Sequence, residues 1–71
     1  MTYNLRRPAL SIVEHEFDGY TIQARELYPD EWQAFIWNNR GEYCGCTSVW
    51  LGSSLALLHA ENVIIKGVTT L

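Results

Sequence analysis

The chain has 71 residues, 48% of them hydrophobic and 18% charged, with a formal net charge of −3. That length makes one domain with a thin core, burying roughly 60% of its unfolded surface, and the composition excludes a disordered chain. The basic residues Arg6, Arg7, Arg25, Arg40 and Lys66 are scattered among eight acidic ones, a balance that weighs against a general DNA or RNA binder.

Residues 1–16 read as an N-terminal arm, either an irregular lead-in or a cover for a sheet face, because Pro8, Glu14 and Glu16 interrupt any period. The folded unit is expected over residues 17–71. The apolar run 9–13 is too short for a secretory segment, and the C-terminal apolar stretch is broken by His59, Glu61 and Asn62. No signal peptide or membrane span is predicted, and two cysteines in such a chain predict free thiols and a cytoplasmic location.

Asp18-Gly19 is a turn signal, and residues 20–27 alternate apolar with polar as a half-buried strand does. Tyr28-Pro29-Asp30-Glu31 places a proline at the second position of a tight reversal, and residues 32–38 read as a second strand. Asn38-Asn39-Arg40-Gly41 reads as a type I turn followed by a left-handed glycine, which sets Asn38 opposite Glu42. That register puts Ala34 and Ile36 on one face with Cys44 and Cys46, and Phe35 and Trp37 on the other with Tyr43, Gly45, Thr47 and Val49.

A third strand over residues 43–51 ends at Gly52-Ser53-Ser54, where either serine is suited to cap a helix over 55–65 or 55–68. At 100° per residue Leu57, Ala60, Ile64 and Gly67 share one side of that helix, with Ala56 and Val63 at its flank. Leu55, His59, Asn62 and Lys66 share the other side, and Leu58 and Ile65 form a second apolar edge beside Glu61. The predicted architecture is α+β: a three-stranded antiparallel meander with a C-terminal helix packed on one face. Its core is expected to hold Tyr20, Ile22, Ala34, Ile36, Cys44, Leu57, Ala60 and Ile64.

Gly19-Tyr20-x-Ile22, Trp32-x-Ala34-x-Ile36, Gly41, Ser53-Ser54, and Ala56, Ala60 and Ile64 together resemble a class of short proteins, many of them bacterial, with three strands, a helix and no assigned activity. The arrangement is also similar to the inhibitory half of HicB-type antitoxins and, more remotely, to the strand-strand-strand-helix part of double-stranded RNA-binding domains. These resemblances imply the fold and no functional residue.

Cys44-x-Cys46 is the sequence's nearest approach to site chemistry. Same-face neighbours on a strand lie about 7 Å apart, too far for an unstrained disulfide, and zinc sites space paired cysteines by two to four residues. No complete set of nucleophile, base and pocket is present, so no enzyme activity, metal or cofactor is predicted. The surplus of apolar residues instead predicts a contact surface made by Phe35, Trp37, Tyr43 and Val49 on the sheet, and Leu58 and Ile65 on the helix. The expectation is a small interaction or regulatory protein acting as a homodimer or accessory subunit. A nucleic-acid-binding regulator or antitoxin-like inhibitor is the alternative, disfavoured by net charge.

Overall fold

The structure, a computed structural model, describes residues 8–67. Among these residues five strands and one helix follow one another: β1 (Ser11–Phe17), β2 (Tyr20–Tyr28), β3 (Glu31–Trp37), β4 (Tyr43–Cys46), β5 (Trp50–Leu51) and α1 (Ser53–Ile65). The strands form one antiparallel sheet in the order β1-β2-β3-β4, with β5 also paired to β3. This is the α+β arrangement expected, a meander followed by a helix on one face, with one strand more at its start.

That additional strand is the main departure. Asp18 (φ 51) and Gly19 (φ 82) are both left-handed, as the two-residue turn that matches strand twist requires, so the chain before them runs back along β2 from Phe17↔Tyr20 to Ser11↔Glu26. Residues 11–16, read from sequence as part of an arm, are therefore sheet, and they lie beside β2 rather than over it. Residues 1–7 of that arm lie outside the described residues.

Ile22↔Ile36 and Ala24↔Ala34 pair across β2 and β3, and these four side chains are completely buried beneath the helix. Trp32, Cys44, Ala56, Ala60 and Ile64 complete this core, with Phe17, Tyr20, Trp50 and Leu57 packed at its margin. Ala56 and Ala60 lie one turn apart and bring the helix close to the sheet; Ile64 extends the same stripe. Of the residues expected here, Tyr20 and Leu57 are only partly covered.

The β3–β4 turn forms as expected. The Asn38 N–H donates to Glu42 O at 2.9 Å, and the Asn38 side-chain oxygen accepts from the Arg40 and Glu42 N–H groups at 2.9 and 3.0 Å. Two residues later the register departs from expectation: Trp37 pairs with Tyr43, but Ile36 pairs with Gly45 and Phe35 with Cys46. Cys44 is the extra residue of a bulge, and the two thiols consequently lie on opposite faces instead of sharing one.

The single third strand expected over residues 43–51 is interrupted at residues 47–49. There the Thr47 N–H donates to Ala34 O at 2.8 Å, and the Ala34 N–H donates to the Thr47 hydroxyl at 3.1 Å. The hydroxyl stands in for a ladder carbonyl, so the chain leaves the sheet with its neighbour satisfied and rejoins at Trp32↔Trp50. Helix α1 then starts at Ser53 behind Gly52 (φ 96), with no side-chain cap, so neither serine caps it as expected. It ends at Ile65 with Lys66 as C-cap, and the next residue, Gly67 (φ 94), donates its N–H to Ile64 O at 3.1 Å. Val68, the longer end considered for the helix, lies outside the described residues.

Candidate interaction surface

The sheet has two faces of different character. One carries the helix; the other presents, row by row across β1, β2 and β3, Glu16–Thr21–Trp37, Glu14–Gln23–Phe35 and Ile12–Arg25–Gln33. Phe35, expected at a contact surface, is wholly buried on this second face. It is flanked by Gln23 across the ladder and by Cys46 on the other side, so it serves the chain's own interior and offers no area to a partner.

Trp37 and Tyr43 do stand together as the register required. Both are half-buried, with ring centroids 5.7 Å apart in an edge-on contact at 63°. Burial, and after it a hydrogen bond with the Cys46 thiol, holds the Tyr43 hydroxyl well above the usual phenol range, so this ring stays neutral. Gln33, buried on the same face beyond Phe35, donates from Nε2 to Thr47 O at 2.7 Å and to Cys46 Sγ at 3.3 Å. The bulge at Cys44 thus brings Cys46 onto this face, where it joins Tyr43 on one side and Gln33 on the other.

Next to Trp37 the face is hollow, a cleft of about 800 Å³ whose lining includes Glu14, Glu16, Asp18, Thr21, Gln23 and Trp37. The register explains it: Thr21 is short and sits between two long side chains, Glu16 on β1 and Trp37 on β3.

The second set of candidates is on the helix. Leu58 and Ile65 are 51% and 69% exposed, and Leu55 is 43% exposed; with Asn62 they recur at i, i+3, i+7 and i+10 and form one outward line. Val49, expected with the aromatic pair, is exposed in the interruption between β4 and β5 rather than on a paired strand.

Two contacts missed from the sequence secure the helix. His59, assigned to the solvent side, stacks on Trp50 with centroids 3.7 Å apart and planes within 5°. His15 Nε2 lies 2.9 Å from Glu61 Oε2, tying β1 to the helix. The His15 partnership was legible once β1 was recognised as a strand, since His15 opposes Ile22 and shares its face. Comparison with known proteins finds no matching family, no matching curated sequence and no matching solved structure.

Proposed function

We propose that this chain is a small cytoplasmic interaction protein with no catalysis of its own, acting as a homodimer or as an accessory subunit. The observation that carries this reading is the outer line of α1, where Leu55, Leu58 and Ile65 remain largely exposed after the fold has closed. Single exposed apolar residues are normal on a monomer, but a continuous line along one helix is the pattern of a helix awaiting a second one. Asn62 in the middle of the line suits a paired arrangement, since a polar residue at a buried seam position fixes register. Two-fold self-association is the commonest way to cover such a surface. Trp37 and Tyr43 supply a second, smaller aromatic surface on the other side of the sheet.

The test is sedimentation equilibrium over a wide concentration range, on the wild-type chain and on a Leu58→Gln, Ile65→Gln double variant. The expected result is a concentration-dependent dimer that the double variant loses while keeping its circular dichroism. A wild-type chain that stays monomeric to its solubility limit would remove the homodimer.

A further inference from the structure

The cleft beside Trp37 has a chemical character that the apolar helix line lacks. Glu14 and Glu16 line it from β1, and Asp18 joins them from the turn. Its β3 wall is the indole of Trp37, backed from the β4 side by Tyr43. The remaining lining includes the neutral amides Gln23, Asn38 and Asn39, and no lining residue is basic. Arg25, the next residue but one along β2 on the same face, lies outside the lining and donates its Nη1–H to Gln23 Oε1 at 2.8 Å.

The size of the gap is set by the sheet. β1 and β3 are two strand spacings apart, about 9.5 Å, and the short Thr21 leaves the space between Glu16 and Trp37 open. A guanidinium is planar and cationic; stacked about 3.5 Å from the indole it keeps its N–H groups in its own plane, where the long Glu14 and Glu16 side chains can turn to meet them at the edge of the slot. A lysine ammonium would answer the charge but not the flat wall.

We propose that this cleft receives an arginine side chain from an extended segment of a partner protein, the guanidinium stacked on Trp37 and donating to Glu16 and Glu14. The amides of Gln23 and Asn39 suit a peptide backbone lying across the opening, while the Asn38 amide is held within the turn. The inference rests on the reading of this chain as an interaction protein and names what its sheet face would hold.

The probe is acetyl-Gly-Arg-Gly-amide, which carries one charge, titrated into the full chain while NMR follows the Trp37 indole N–H and the Thr21 amide. The expected result is a saturable shift of both, weakened by salt and reduced at least about fivefold for the lysine peptide and about tenfold for the uncharged citrulline peptide. Glu16→Gln weakens binding, and Thr21→Gln, which fills the hollow from a half-buried position on β2, removes it with the spectrum away from the cleft unchanged. Equal binding of the citrulline peptide, tighter binding of free spermidine, or no saturable shift at Trp37 would each overturn the proposal. So would binding seen only in an Arg6→Ala, Arg7→Ala variant, since the occupant would then be the chain's own basic pair. The readouts separate the two readings: a dimer that ignores the arginine peptide loses only this inference, and a monomer that binds it loses only the homodimer.

Discussion

Phe35 and Trp37 sit two positions apart on the same strand face, yet only one of them is available to a partner. Phe35 has no exposed surface, so Phe35→Ala should cost about 3–5 kcal/mol. A chain of this length is stabilised by roughly 4–10 kcal/mol in total, so the variant should lose from about a third to all of its stability, read as a large fall in its urea midpoint. Trp37→Ser, at a half-buried site, should keep a cooperative transition. Thr47 decides stability by a different route. Its hydroxyl is the acceptor for the buried Ala34 N–H, so Thr47→Val, close in shape, should lose about 1–3 kcal/mol by stranding that donor, whereas Thr47→Ser should recover most of it. Equal stability of the valine and serine variants would show that the hydroxyl is not the partner that matters.

Tyr43 gives the residue scale a pH dependence. Burial and the Cys46 thiol raise its folded-state pKa above the ordinary 10.0, which favours the neutral phenol in the folded chain. That contribution is complete below pH about 10 and is lost as pH rises from there through the folded-state pKa. Urea midpoints should therefore fall with increasing pH above about 10, and Tyr43→Phe should flatten that fall while lowering stability near neutrality through the lost hydrogen bond. A variant whose alkaline slope matches the wild type would assign the effect to another group.

At the scale of elements, the bulge in β4 determines which side chains meet. With Cys44 as the extra residue, Cys46 crosses to the Phe35 face and joins Tyr43 and Gln33; without it the two thiols would share the helix face. Gly45 sits in this bulge at φ 143 with open space where a Cβ would project. Gly45→Ala should therefore cost about 1–3 kcal/mol through backbone strain alone, without a steric clash, and a chemical denaturation curve measures it directly.

The same bulge marks the limit of what was legible in the amino-acid order. Alternation in residues 20–27, the Tyr28–Glu31 reversal and the Asn38–Gly41 turn located β2, β3 and the start of β4, because side-chain period and turn chemistry are local. A glycine inside a strand is a recognised sign of a bulge, and Gly45 carried it, but its position relative to Cys44 decides the face of everything after it. β1 escaped for a related reason. Asp18-Gly19 implies a strand on both sides, yet Glu14 and Glu16 were read as breaking a pattern when they occupy the solvated face of one, alternating with Val13, His15 and Phe17. Of the contact residues, the Trp37–Tyr43 pair followed from the turn, while the burial of Phe35 depends on what covers the face, which no local pattern encodes.

For the whole molecule, the question is why a core this small tolerates so much apolar surface. The helix fully buries only a narrow stripe of two alanines and an isoleucine against the sheet, flanked by Leu57, His59 and Glu61, and Leu55, Leu58 and Ile65 face away from it. Substituting the outer line should therefore separate stability from association. In dilute solution Ile65→Gln should change the monomer's unfolding free energy by less than about 0.5 kcal/mol, as surface substitutions do. At high concentration it should lower the melting temperature relative to wild type, because a dimer that binds only folded chains raises apparent stability by mass action. The check is a pair of thermal melts for each protein at the two extremes of concentration. A wild-type melting temperature independent of concentration, matched by the variant throughout, would mean that the outer line is not covered by a second copy. Binding of an arginine peptide at the cleft would then become the remaining support for a contact role.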